Sequence, residues 1–306
     1  MKNVLNYKYN LYPDRVINVK DSYYFFIDNN KYYIVKLNRQ VEEIDLIFNV
    51  NKKLELMNKA VYSIVLDKEN KKYFDFEEKN YMILKVLKEE NKSLKLFDII
   101  EFNKLLKTKS KNLLNRNDWK KLWSEKIDYY EYRMSVVKEE NDIVNRSFSY
   151  YVGLAEDAIG YYVDTLLEEK NINMELCISH KRISYPSINA KIYNPLTFVF
   201  DYKVRDIAEY LKTMFFLDEL DWNEVLELFN KFLISKTNCR LFYARLLYPS
   251  YYFDAYEEYI ETKDDKKLKN IISKSKEYED FLFDIYYLIK KYAQIPEVEW
   301  IIRKKV

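Results

Sequence analysis

Glycine is almost missing from this chain. Two occur in 306 residues, Gly153 and Gly160, and none precedes residue 153. The first half therefore has no glycine-rich turn, the device that lets backbone amides close in on a ligand. Histidine occurs once, as His180, so no pair of histidines can share a metal. The two cysteines, Cys177 and Cys239, suit a reducing cytoplasm without calling for a disulfide. Net charge is also scarce: 51 basic and 49 acidic residues leave +2. That balance argues against a nucleic-acid partner bound through massed positive charge. No apolar run approaches a membrane span, and the opening MKNVLNYKYN lacks the apolar centre of a signal peptide. The expectation is a cytoplasmic protein with neither a membrane nor a nucleic acid as partner.

What is present is material for a core. Hydrophobic residues make up 48%, with 31 tyrosines, and the length suits one large domain or two smaller ones. Residues 22–28 (SYYFFID) and 31–37 (KYYIVKL) read as strands, with Asn29-Asn30 supplying the turn. Val41, Ile44, Ile47, Phe48 and Leu54 then follow helical spacing. Strand-like runs return at 61–66 and 81–87. Charged residues 89–95 read as a hinge, and 107–117 as an exposed connection. Asp118 is placed to cap a helix running to about residue 137. A helix over 150–167 contains both glycines, which predicts a close approach by another segment. The rest, broken at Pro249, reads as helical.

One stretch carries the chemistry, Cys177 to Phe216. It holds His180, then the apolar run Leu196–Phe200 ending on Asp201, then Arg205-Asp206. Ile207, Ala208, Leu211, Met214 and Phe215 mark one face of a helix, with Asp206 placed as its cap. This order resembles the catalytic core of the aminoglycoside-phosphotransferase-like kinases. There the loop reads H-G-D-x-H-x-x-N, a strand ends in a metal-binding Asp, and D-L-A follows. The phrases CISHKRI, FVFDYKVRDIAEYLK, ARLLYPSYYFDAYEEY and YYVGLAEDAIGYYVD resemble more closely the YutH branch of the CotS spore-coat proteins.

The resemblance implies an α+β, two-lobed protein-kinase-like fold. The small lobe, an antiparallel sheet with one helix, would occupy 1–88, and the helical lobe 89–306. In working enzymes of this fold a strand lysine holds the nucleotide phosphates and pairs with a helix glutamate. Lys36, with Glu42 or Glu43, would take those places; the bland alternative is an exposed strand lysine. The catalytic Asp falls on Arg182, which cannot accept a proton at ordinary pH. The loop Asn falls on Ser187, with Asn189 as a substitute ligand if the loop is remodelled. Asp201 reads equally as a metal ligand and as a strand-end turn former. His180 reads as a brace for the loop, and Asp206 as a scaffold residue that bonds loop amides or Arg182. The hairpin over the phosphates would lie near Val19–Ser22, where Asp21 would repel a triphosphate.

The expected function is thus a catalytically inactive, kinase-like coat protein that binds other spore coat proteins, made in the mother cell and carried in the coat. No cofactor is expected. The alternatives are an active phosphotransferase using ATP and Mg²⁺, and a nucleotide-binding switch without chemistry.

Overall fold

The computed structural model describes residues 1–19, 22–88, 93–136, 142–168, 175–184, 193–232 and 235–303. The chain forms two compact units. One comprises Met1–Lys95, Ser110–Asn115 and His180–Phe200; the other comprises Leu96–Lys109, Arg116–Ser179 and Asp201–Val306. A single cut at residue 88 follows chain order. The units instead interleave, because later segments pack back into the first.

The first unit opens with α1 (Lys2–Tyr9), a helix the sequence pattern does not announce, since it buries only Leu5 and Tyr9. The sheet has strands β1 (Ile17–Val19), β2 (Ser22–Ile27), β3 (Asn30–Lys36), β4 (Tyr62–Ile64), β5 (Phe74–Phe76) and β6 (Lys79–Val86). Their order is β1-β2-β3-β6-β4, with β5 also paired to β6, and every pairing is antiparallel. Alternation along the strands sends Phe25, Tyr32, Ile34, Tyr81 and Ile83 into one core with Leu5 and Tyr9. Helix α2 (Ile44–Leu56) lies against β4 and buries Ile44, Ile47, Val50 and Leu54.

The turns show how the chain manages without glycine. The β2–β3 turn is made by Asp28 (φ 46°) and Asn29 (φ 64°), one residue earlier than the sequence suggests. Glu77 and Glu78 (φ 51° and 59°) make the β5–β6 turn. Asn and Asp tolerate the left-handed region because their short side chains bond locally. Neither glycine has positive φ. Both lie inside a helix, and a Cβ at Gly153 or Gly160 would meet nothing within 4 Å. The expected close approach at these glycines is therefore not there.

The second unit is mainly helical: α3 (Leu96–Leu105), α4 (Trp119–Val136), α5 (Asp142–Glu168), α6 (Val204–Phe216), α7 (Trp222–Lys231), α8 (Lys236–Leu247), α9 (Ser250–Thr262), α10 (Lys266–Ser273), α11 (Ser275–Lys290) and α12 (Glu299–Arg303). Asp118 caps α4 through the Lys121 amide at 3.2 Å, as expected. Helix α8 is buried on all sides, so it sits at the centre, packed on α5 and α6. It ends at Leu247, and Pro249 caps α9. Three further strands are β7 (Lys107–Thr108), β8 (Leu176–His180) and β9 (Phe198–Asp201). β7 pairs with β8, Lys107 opposite Cys177. Leu114 is buried, and its carbonyl accepts from the Phe200 amide at 2.9 Å. Residues 107–117 are thus only partly the exposed connection their charge suggests.

Candidate functional site

The run FVF drives β9 into the core and delivers Asp201, at the strand's end, to a site with no exposure at all. Its carboxylate is fully engaged. The Trp119 indole N–H donates to Oδ1 and Oδ2 at 3.0 and 3.2 Å, and the Tyr202 amide donates to Oδ1 at 2.7 Å. Arg205 Nε lies 3.0 Å from Oδ2. Burial raises the Asp201 pKa to about 6, against the opposing pull of Arg205, Arg245 and the Trp119 N–H.

Asp206 is equally buried. It is not the helix cap: α6 starts at Val204 with Lys203 as N-cap and no side-chain cap bond. One more turn of helix forms because the preceding residues are themselves held in the core. Asp206 Oδ1 accepts from Arg205 Nη1 at 3.1 Å, and Oδ2 accepts from Asn103 Nδ2 at 3.3 Å. Asn103 Nδ2 also donates to the Ile178 carbonyl at 2.6 Å, tying α3 to β8. Arg182, the suggested partner for Asp206, is exposed.

The network continues along α6. Arg245 Nε donates to Glu209 Oε1 at 2.7 Å, and the Ser250 hydroxyl to Oε2 at 2.8 Å. Lys212 pairs with Glu209 at 2.7 Å and donates to the carbonyls of Arg245 and Tyr248 at 3.0 and 3.1 Å. Desolvation would raise the Glu209 pKa, but Lys212 and Arg245 outweigh it and hold the carboxyl well below its ordinary range. Burial lowers Lys212 to about 8. Arg245 stacks over the rings of Trp119 and Trp123, 5.2 and 5.5 Å from their centroids. Arg205, Glu209 and Lys212 fall at i, i+4 and i+7. That spacing was visible in the sequence, but such charges normally mark a solvated face; Arg245 and Trp119 gave no local signal.

Other candidate residues are placed differently. His180 ends β8, is wholly buried, and its ring meets Phe198 edge-on at 6.1 Å. The Lys181 amide donates to the Thr197 carbonyl at 2.6 Å, so the run at 196–200 does lie beside the His180 segment. Ser187, Asn189 and Asp21 lie outside the described residues. Lys36 and Glu42 are exposed. Glu43 is buried, and its ion pair is with Arg39, at 2.8 Å. The pairing anticipated for Lys36 is therefore made by an arginine three residues later, in the bend that precedes the 3-10 turn Val41–Glu43. Arg39 Nη1 also reaches the Leu196 carbonyl at 3.5 Å. Both cysteines are buried thiols whose pKa values burial raises, Cys239 to about 11.

A kinase-like site would take Mg²⁺ at Asp201 and nucleotide phosphates at the strand lysine. Asp201 does not fit the metal: its oxygens already serve Trp119, Tyr202 and Arg205. A metal could bind only by expelling a buried guanidinium, so no step through a metal follows from this geometry.

The family described as "Spore coat putative kinase YutH" matches residues 2–285. The chain belongs to that family. The family's Bacillus subtilis (strain 168) member, endospore coat-associated protein YutH, is 27% identical over 334 residues, covering 98% of each chain. Among solved structures, an aminoglycoside phosphotransferase from Alicyclobacillus acidocaldarius superposes with a TM-score of 0.66 at 10% identity, covering 93% of this chain and 95% of that one. The amicoumacin kinase in complex with AMP-PNP and Ca²⁺ gives 0.58 at 11%, covering 91% and 92%. The protein is thus a spore-coat-family protein with an α+β, phosphotransferase-like fold. Among the described residues no helix is long and apolar enough to cross a membrane.

Proposed function

We propose that this protein is a catalytically silent, kinase-like coat protein, made in the mother cell and acting by binding other coat proteins. The observation that carries this is the closed Asp201 carboxylate, held by Trp119 and Arg205 at full burial. A metal ligand needs free lone pairs, and this one has spent them. Two further features support the reading. Arg182 stands where a proton acceptor is needed, and general-base help is worth about 10²–10⁴ in rate. The β1–β2 hairpin also lacks the glycines of a phosphate-covering turn. The coat role is supported by the Bacillus subtilis relative, which is named for endospore coat association.

The deciding assay is transfer or release of radiolabelled γ-phosphate with Mg²⁺ or Mn²⁺, across aminoglycosides, choline, sugars and cell lysate. Wild type is expected to match Lys36→Ala, and Arg182→Asp to restore nothing. Wild-type turnover above that control overturns the proposal in favour of a phosphotransferase. A melting temperature raised by ATP without turnover points to a nucleotide-binding switch. Coat binding is read from spores: the Lys36→Ala strain should yield the same coat extract as wild type, and a deletion strain an altered one.

A further inference from the structure

Charged side chains on this surface are matched by neighbours in many places, as Lys52 is by Glu55 on α2 and Asp218 by Lys274. Two places break the pattern, one of each sign. The basic one lies at the end of α2, in the first unit. Leu56, the last residue of the helix, is 86% exposed, and Met57 after it is exposed too. The Lys88 ammonium donates to the Asn58 carbonyl, which brings exposed Leu87 against the same end. Lys53 precedes Leu56 by one turn, and Lys59 follows Met57. Both are exposed and have no ion pair among the described residues.

The acidic one lies on α7 and α11, in the second unit. From Asp218 to Leu228 the chain carries five acids and no base. Trp222 and Leu226, one turn apart on α7, are 41% and 44% exposed. Trp222 meets Phe281 of α11 at 5.9 Å. Glu277 and Asp284 stand one turn to either side of Phe281 on that helix, so they border the same face. Both, like Glu219, are exposed and have no ion pair among the described residues. Exposed apolar side chains with an aromatic in the middle and charge at the rim make up an interface. Unpaired charges of one sign also repel one another, and a partner of the opposite sign relieves that repulsion.

We propose that these two patches bind each other between copies of this chain, the end of α2 on one copy seating on the α7–α11 face of the next. The match is chemical. Leu56 and Met57 meet Trp222 and Leu226, while Lys53 and Lys59 face Glu277 and Asp284. The two patches differ, so the contact is heterologous. Each chain offers both halves, and the contact repeats until a ring of copies closes or a filament runs on. The partner is the chain itself, so the proposal does not depend on whether the protein transfers phosphate or binds any other protein.

Analytical ultracentrifugation of the full chain tests this. At low salt, wild type should assemble into complexes of two or more chains as its concentration rises, and return to monomer as salt screens the rim. Leu56→Ser with Lys59→Ser removes one half of the contact, and Trp222→Ser with Asp284→Ser removes the other. All four positions are exposed, so the fold is spared. Each variant alone should be monomeric where wild type assembles, its self-affinity weakened about a hundredfold. Mixed one to one, the two variants should form pairs and nothing longer, because each keeps the half that the other lacks. Pairing also shows that both retained faces are folded. Wild type that stays monomeric at every concentration and salt overturns the proposal. So do variants that assemble as wild type does, a mixture that stays monomeric, or a mixture that grows beyond pairs.

Discussion

Two groups of charged side chains in this protein lead opposite lives. Asp201, Arg205, Asp206, Glu209, Lys212 and Arg245 are buried, and each is bound to another member of the set or to backbone. Lys36, Glu42 and Arg182 are exposed. In a working kinase-like site Asp201, Lys36, a helix glutamate and the residue at position 182 would face a nucleotide and its metal. Here the buried group fastens α6 to its surroundings, while the exposed group is open to solvent. Burial explains the difference. A carboxylate removed from water must be paired and hydrogen-bonded on all sides, and doing so uses up the lone pairs a metal would require.

The sharpest break in this comparison is Arg205→Met. It leaves Asp201 and Asp206 both buried without their guanidinium, and removing one partner of a buried pair costs about 3–5 kcal/mol. Chemical denaturation should show a midpoint lowered to match; an unchanged midpoint would put Arg205 in solvent.

A second test reads pH. The folded pKa of Asp201 is raised from 3.8 to about 6, so between those values the folded state binds the proton more than the unfolded state does. Its contribution to stability therefore falls as pH rises from about 4 to 6, by on the order of 2–3 kcal/mol across the window. Asn cannot ionise. The stability lost in Asp201→Asn should thus be largest near pH 4 and shrink towards pH 6, measured by urea denaturation at each pH. A penalty that grows with pH would mean that the pairing with Arg205, rather than burial, controls this carboxylate.

Smaller effects belong to uncharged positions. Gly153→Ala and Gly160→Ala have free space for the new Cβ and sit inside α5. Each should stabilise by about 0.5–1 kcal/mol, seen as a raised melting temperature. The smallest effects are expected for Lys36→Ala and Arg182→Ala. Exposed substitutions of this kind stay within about ±0.5 kcal/mol, and a larger loss by denaturation would move them into the structural group.

Much of the layout was legible beforehand. Aromatic and β-branched runs marked β2, β3 and β6, and the LTFVF run marked β9. Helical spacing marked α2 and α6. What was misread shares a cause. Helix α1 is short and contributes only two core residues, too few for a period. The two glycines looked like contacts because glycine usually earns its place by geometry, yet here Asp28, Asn29, Glu77 and Glu78 take the left-handed positions instead. Asp206 looked like a cap because local pattern cannot show that Val204 and Arg205 are already helical. The pairing of Glu43 with Arg39 instead of Lys36 turns on which side chain the sheet leaves buried.

The amino-acid sequence alone determined the family, the antiparallel sheet followed by helices, and the arginine at position 182. These follow from residue identity and from periodicities of two and 3.6, which are local properties of the chain. Only the tertiary structure decided that Asp201 is closed, that Glu209 is shared between Lys212 and Arg245, and that Asn103 reaches Asp206. Those partners are up to about a hundred residues apart in sequence, as with Trp119 and Asp201, or Asn103 and Asp206. Whether a carboxylate is a ligand or a strut depends on which donors reach it once water has been removed, and that is settled by packing rather than by its neighbours in the chain.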